Sequence, residues 1–566
     1  MNLAKTTGPL IITTLLASLA CFGTHAVAAD TVYYNGTIIT MDDDRPLAEA
    51  VAVSDGRILA VGNRDVVLAS AGSNARRIDL ESHTLLPGFV DSHGHAYAIG
   101  LQASTANLLP PPDGAIADIP ALQAQLSAWM ADDPAVMRGI GWVVGFGYDD
   151  SQLAELRHPT REELDAVTTD YPVIIIHQSG HFGVANSKAL KRLGITTASE
   201  NPAGGIIRRE KASRQPNGVL EEMAFLVPLM QLMSQFDDAM NEHLVIEGTR
   251  LATTYGYTTV QEGRAMPRAI AAMRRAAERD ALDVDLVAYP DMLAVPDVTP
   301  SRTYQQRFRV GGVKLTIDGS PQGKTAYLSK PYFHPPHNQS ADYRGYSAID
   351  ESTVRTSVAR AFANGWQILC HANGDAAIDQ YIDAVRAAQA EYPDVDNRPV
   401  LIHGQTLRRD QVEALDELGI FPSLFPMHTF YWGDWHRESV LGPMRADNIS
   451  PTGWLLARGM RFGSHHDAPV ALPDSMRVLS ATVTRRSRSG DILGPEHRVP
   501  VATALKAMTL WPAWQHFEES EKGSIEPGKL ADLVILSANP LTVPEDTLDD
   551  LVVEQTIKEG RVVYRR

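Results

Sequence analysis

The chain of 566 residues is 44% hydrophobic and carries a formal net charge of -17. That length supports a large core or several. The acidic balance argues against a nucleic-acid partner and against attraction to anionic membranes.

Residues 1–29 read as an export signal. Lys5 is the only charge there, an apolar run covers 10–20, and Ala26-Val27-Ala28 precedes Ala29-Asp30, the small-residue pattern of a cleavage site. The run is too short to span a bilayer comfortably. Cys21, in S-L-A-C, is a poor lipidation site because Ser18 stands where leucine is wanted. The expectation is a periplasmic or secreted protein with no stable membrane insertion after cleavage. Cleavage leaves Cys370 alone, which excludes an internal disulfide and a thiolate metal cage.

Residues 30–86 carry short β-like runs broken at Asn35-Gly36 and Asp55-Gly56, the spacing of hairpins. The C-terminal stretch 517–566 answers with G-S-I-E-P-G-K-L-A-D-L-V-I-L and T-I-K-E-G-R-V-V-Y. Each half is too short to bury a core alone, so the two ends are expected to build one small β-sandwich domain.

Between them, in 87–516, short apolar strands alternate with helical periodicity, which predicts an α/β layout with a parallel sheet. The strand candidates are the run before His93, then 258–261, 284–289, 312–317, 367–370, 400–402, 420–424 and 460–463. Helices are clearest at 269–279, 352–364, 376–391 and 409–417. Eight such units predict a (β/α)8 TIM-like barrel, with chemistry at the C-terminal ends of its strands. The stretch 100–250, after the first strand, is too long for a loop and reads as an inserted substructure.

Polar residues fall at those strand ends. L-L-P-G-F-V-D-S-H-G-H (85–95) finishes on His93 and His95, two apart and so on one side of an extended chain. Lys314, His371, His403 and Asp467 end later strands. Neutral imidazoles with a carboxylate suit zinc. A lysine ammonium beside cations would be repelled, so Lys314 fits only as a neutral amine, a state that desolvation provides; it could then add carbon dioxide to become a metal-bridging carbamate. Glu262 ends the second strand and faces the same mouth. F-P-M-H-T-F-Y-W-G-D-W-H (425–436), with Phe430 and Trp432, either walls an apolar substrate pocket or packs down on itself, and Tyr148 in G-F-G-Y-D-D is a similar candidate. Cys370, adjoining His371, points the other way into the core.

The set H-x-H, Lys, His, His, Asp with a two-ended β domain resembles the amidohydrolase superfamily. D-Y-P-V-I-I-I-H-Q-S-G-H-F-G-V-A-N-S-K-A-L (170–190), G-G-I-I-R-R, P-N-G-V-L-E-E, D-G-S-P-Q-G-K-T-A (318–326) and the P-G-K-x-A-D-L tail resemble its branch containing N-substituted formamide deformylases. The resemblance implies metal-dependent hydrolysis of a C–N or ester bond. It makes His93, His95, His371 and His403 imidazole ligands, Lys314 the carbamylated bridge and Asp467 both ligand and proton shuttle. His181 becomes a residue that reaches substrate, or else a packing or capping histidine.

Three positions depart from the pattern. H-G-H replaces H-V-H and loosens the backbone between two ligands. G-S-H-H-D replaces G-S-D, so His465 or His466 competes with Asp467, which is retained because A-P-V follows it in register. Ile402 stands where an acid is common.

Bound zinc lowers the pKa of its water towards ~7 and polarises the scissile carbonyl, while Asp467 moves the proton to the leaving nitrogen. The expected protein is thus an exported amidohydrolase that uses one or two zinc ions, as metal-bound hydroxide chemistry, on a small, neutral to hydrophobic N-acyl or N-formyl compound. A metal-dependent esterase or lactonase, or a non-catalytic metal-binding or regulatory protein, are the rival readings. Self-association is left open.

Overall fold

The apolar runs of the central chain form a ring of short parallel strands: β1 (Phe89–Val90), β2 (Tyr257–Ala265), β3 (Asp285–Pro290), β4 (Gly312–Thr316), β5 (Gln367–Ala372), β6 (Val400–His403), β7 (Phe421–Leu424) and β8 (Gly463–Ser464). The computed structural model describes residues 1, 29–202, 204–211, 213–336 and 339–566. The export signal expected at the N-terminus lies outside these, save its first and last residues. Strands buried on both faces read as continuous apolar runs, as Val400, Leu401 and Ile402 do, each fully buried.

Hydrogen bonding divides the ring into two arcs, β1 to β3 and β4 to β8. Phe308–Val310 leads into β4 and pairs with β3; beyond Gly311 the chain pairs with β5 instead. A Cβ on Gly311 would lie 2.7 Å from Val287 Cγ1, so glycine is needed where the strand changes partner. An Asp291–Lys314 bridge ties β3 to β4. At the other seam Asp467 N donates to His93 O at 3.2 Å, and a Cβ on Gly463 would meet Ser92 Cβ at 2.7 Å. The two ends of the ring are thus pressed together at the residues that bear the candidate chemistry.

β8 starts later than the expected 460–463. Met460 N donates back to Leu455 O at 3.0 Å, closing the end of helix Thr452–Ala457, so its apolar run belongs to a helix terminus and not to the sheet. Helices Pro267–Glu278, Glu351–Ala363, Asp375–Glu391 and Arg409–Glu417 follow β2, β4, β5 and β6. The second is capped by Asp350, whose carboxylate accepts Thr353 N at 2.8 Å, and the first has proline at its opening turn, where no donor is lost.

Both chain ends meet in one eight-stranded sheet. Thr84–Pro87 pairs with Ala29–Ile39 on one side and antiparallel with Leu533–Leu536 on the other, so hydrogen bonds run through all eight strands without a break between two sheets. Pro87 is two residues from Phe89, so this sheet feeds directly into β1. A buried charge cluster fastens it to the barrel base: Lys558 Nζ lies 2.6 Å from Asp285 Oδ2 and 2.7 Å from Asp532 Oδ2, and Lys522 Nζ lies 2.6 Å from Asp285 Oδ2 and 3.0 Å from Glu518 Oε2.

Between β1 and β2 the chain forms a six-stranded sheet whose edges are Ala106–Asn107 and Gly205–Arg209. Helix Asp238–Thr254 carries it back to the barrel against helix Ala96–Ala103. A Cβ on Gly100 would fall 1.7 Å from Leu244 O, so these helices touch backbone to backbone. Among the described residues no helix is long and apolar enough to cross a membrane.

Candidate metal centre

The site grows from the end of β1. The Asp91 carboxylate accepts His93 N at 2.9 Å and Gln261 N at 3.1 Å, lashing the ends of β1 and β2 together; burial pushes this acid up to about 7. Gln261 Nε2 donates to Ser92 O at 3.0 Å, which turns Gln261 Oε1 towards His93 Nδ1, 2.8 Å away. Nδ1 therefore carries the proton, and the His93 Nε2 lone pair faces the barrel mouth, the tautomer that metal ligation requires.

His93 Nε2 lies 3.5 Å, and His95 Nε2 3.3 Å, from Asp467 Oδ1. Neither nitrogen is aligned for a hydrogen bond, and Asp467 Oδ1 is buried without a partner among the described residues. Donors ~2.0–2.1 Å from one zinc ion in tetrahedral array stand roughly 3.4 Å apart, and both imidazole nitrogens stand at about that spacing from Asp467 Oδ1. Glu262 Oε1 sits 3.6 Å behind His95 Nδ1. Against burial, which lowers it, the carboxylates of Asp467 and Glu262 hold the His95 imidazole up to about 9. A positive charge is thus favoured between His95 and Asp467, and a cation can replace the proton there.

β5 and β6 supply a second set. His371 Nε2 lies 3.2 Å from Gly319 O and 3.1 Å from Asn373 Nδ2, and its Nδ1 meets His403 Nε2 at 3.0 Å. His403 has φ 71°; that left-handed turn at the strand end swings its ring inward, with Nε2 3.9 Å from Asp467 Oδ2. Burial holds His93 and His403 well below the usual imidazole value and His371 at about 3. All three are neutral and available as donors. Lys314 is 1% exposed, with Nζ 3.1 Å from His93 Nε2; burial lowers it to about 7, which opens the neutral amine state.

One donor atom each from His93, His95 and Asp467 lie within 4.8 Å of one another, as do those from His403, His465 and Asp467. Asp149, Asp150 and His177, in the inserted sheet, meet the same spacing but not the chemistry. There Ser179 N donates to His177 Nδ1 at 3.0 Å, so the proton sits on Nε2, which faces Asp150 at 3.1 Å and Asp149 at 3.6 Å without an aligned hydrogen bond and offers an N–H where a ligand would offer a lone pair.

A cavity of about 690 Å³ separates the inserted sheet from the aromatic helix Met427–Trp435; Asp149, His177, His181, Ser320, Trp432 and Trp435 line it. His181 is held by Glu222 at 3.0 Å and is 43% exposed. Phe430 does not share this wall: helical spacing turns it away from Trp432, and Arg477 covers its ring at 4.5 Å. Nor does Tyr148, which is fully buried with its hydroxyl 3.0 Å from His158 Nδ1, packed among apolar residues between the inserted sheet and its helices. A second cavity of about 440 Å³ opens beside His95, Tyr97, Glu262 and Arg264, with Met230 and Met233 opposite.

Sequence reasoning passed over Gln261 and Asp91, whose only signal was adjacency to Glu262 and the H-x-H pair. It also set His465 aside. His465 is buried at the centre of the imidazole group, 5.1 Å from the His403 ring and 5.2 Å from that of His93.

A parallel barrel with imidazoles, a carboxylate and a buried lysine gathered where its strands end defines a barrel-type metal-dependent hydrolase. The chain belongs to the amidohydrolase family, whose profile matches residues 76–564. It is 30% identical over 538 residues to protein LONG AFTER FAR-RED 3 of Arabidopsis thaliana, covering 91% of this chain and 88% of that one. It is 27% identical over 566 residues to N-substituted formamide deformylase of Arthrobacter pascens, covering 95% and 98%. An uncharacterized metal-dependent hydrolase from Pyrococcus horikoshii OT3 superposes with a TM-score of 0.71 at 24% identity, over 91% of this chain and 99% of that one, a likeness of fold.

Proposed function

We propose that the protein is an exported, zinc-dependent amidohydrolase that cleaves the C–N bond of a small, neutral to hydrophobic N-acyl or N-formyl compound. The observation that carries this reading is the convergence of His93 Nε2 and His95 Nε2 on the unpartnered Asp467 Oδ1. The formamide deformylase relative supports the bond type, and the methionine-lined cavity beside His95 supports an apolar substrate.

His93, His95 and Asp467 would hold one ion and His371 and His403 a second, and a Lys314 carbamate would add anionic oxygen donors to the same site. Bound zinc supplies a Lewis acid and an ionised water at neutral pH. The residues of the chain do the rest. Gln261 keeps the His93 proton on Nδ1, and Glu262 holds the His95 ring in place. Asp467 takes the proton of the attacking water and returns it to the nitrogen that leaves. The neutral Lys314 amine would add through Nζ to the carbon of carbon dioxide and release one proton, leaving a carbamate anion where a neutral amine stood.

The test is a panel of N-formyl and N-acyl amines with their matched esters, turned over by zinc-loaded protein. Amide cleavage that a chelator abolishes and zinc restores is expected. Ester cleavage without amide cleavage would make the protein an esterase or lactonase. Export is checked by the N-terminal mass of protein recovered from the periplasm; full-length chain confined to the cytoplasm refutes it.

A further inference from the structure

We propose that His465 is itself a metal donor, supplying a third imidazole to the ion position that His371 and His403 face. The proposal rests on the metal-hydrolase reading and adds to it a residue outside the H-x-H, Lys, His, His, Asp set.

The doubled histidine of G-S-H-H-D divides into two roles because neighbours on an extended chain point to opposite sides. His466 turns away from the imidazole group and packs, 1% exposed, against Asp91 and Tyr257. Its Nδ1 accepts Ala468 N at 2.9 Å and its Nε2 lies 3.4 Å from Asp91 Oδ1, so a backbone donor occupies one nitrogen and a buried carboxylate faces the other. His465 turns inward. It is 1% exposed, and neither of its ring nitrogens has a hydrogen-bond partner among the described residues. A buried polar atom left unpaired is costly, and here one ring carries two. A donor atom of His465 lies within 4.8 Å of one from His403 and one from Asp467.

The ring is also held still. Phe425 stacks on it at 5.1 Å between centroids and 18° between planes, and His465 N donates to Leu424 O at 3.0 Å, tying it to the end of β7. An immobilised imidazole with both nitrogens free, among neutral imidazoles and beside a carboxylate, has the chemistry of a ligand awaiting an ion. The Asp149–Asp150–His177 group marks the contrast, since there a backbone donor occupies the ring nitrogen.

The experiment loads purified full-length mature protein with Co²⁺ and reads ions per chain by elemental mass spectrometry, together with the visible Co²⁺ spectrum. His465→Ala, His465→Gln and His466→Ala are compared with the parent, and circular dichroism confirms that each is folded. The expected result is that both His465 variants bind the second ion at least ~10-fold more weakly, with a changed spectrum, while His466→Ala keeps its ions. Glutamine separates the alternatives, because its amide can hold a buried water as histidine would but is a poor cobalt donor. Unchanged ion content and spectrum in both His465 variants would overturn the proposal. So would a loss in His465→Ala that His465→Gln fully restores. A parent protein that takes up no ion at all would instead sink the metal-hydrolase reading from which the proposal starts.

Discussion

Gln261 Oε1 lies 2.8 Å from His93 Nδ1, and the Gln261 amide is itself oriented by Ser92 O. Two hydrogen bonds thus decide which nitrogen of a candidate ligand carries a proton. Gln261→Leu should leave the ring free to adopt either tautomer. We expect zinc affinity to fall ~10–100-fold, measured by competition with a chromogenic chelator. Unchanged affinity would mean that packing alone orients His93.

Asp467→Asn keeps an oxygen near His93 and His95 but removes the proton acceptor. Turnover of the best amide should fall ~10²–10⁴-fold while at least one ion per chain remains, so elemental analysis and kcat are read together. Near-parental kcat would remove Asp467 from proton transfer.

Lys314→Ala should lower ion content and activity together, and short carboxylic acids such as acetate or propionate should restore part of both by standing in for the carbamate. A fully active Lys314→Ala protein with parental metal content would rule out the bridge.

The Lys558–Asp285 pair at the barrel base tests the joint between the terminal sheet and the barrel. Asp285→Ala leaves two buried ammonium groups short of a partner, a loss that costs about 3–5 kcal/mol. Thermal unfolding should show a markedly lower Tm, whereas Asp285→Asn, which keeps the shape and some hydrogen bonding, should fall between.

The same cluster sets an acid limit. Against burial, which raises it, Lys522 and Arg309 hold the Glu518 carboxyl at about 2, below its ordinary 4.5. A depressed folded-state value stabilises the protein above the unfolded value, and that contribution is lost as pH falls from about 4.5 towards 2. Urea midpoints measured from pH 6 to pH 3 should begin to fall near pH 4.5 and keep falling below it, and Glu518→Gln should flatten that fall from a lower starting stability. A Glu518→Gln profile parallel to the parent would take Glu518 out of the acid response.

Much of the barrel was legible because its signals are local. Short apolar runs such as V-L-I before His403 and V-K-L around Lys314 announce strands buried on both faces, and a histidine or aspartate at the end of such a run lies at the barrel mouth wherever the strand closes. Boundaries were less legible where a long-range partner decides them. Met460 lies in an apolar run that suits a strand, but the backbone carbonyl of Leu455 claims it for a helix end. Trp432 and Phe430, two residues apart, read alike as aromatics, and only the packing of their helix sends one to the cavity and the other beneath Arg477.

The sequence by itself determined the strand–helix alternation, the family and the residue types that end the strands, because periodicity and motif are properties of neighbouring positions. Only the tertiary structure decided which nitrogen of His93 is free, that Gln261 and Asp91 support it, and that His465 joins the imidazole group while His466 packs against Asp91. Those outcomes depend on atoms more than a hundred residues apart in the chain, and hydrogen-bond direction exists only once β1, β2 and β8 lie side by side.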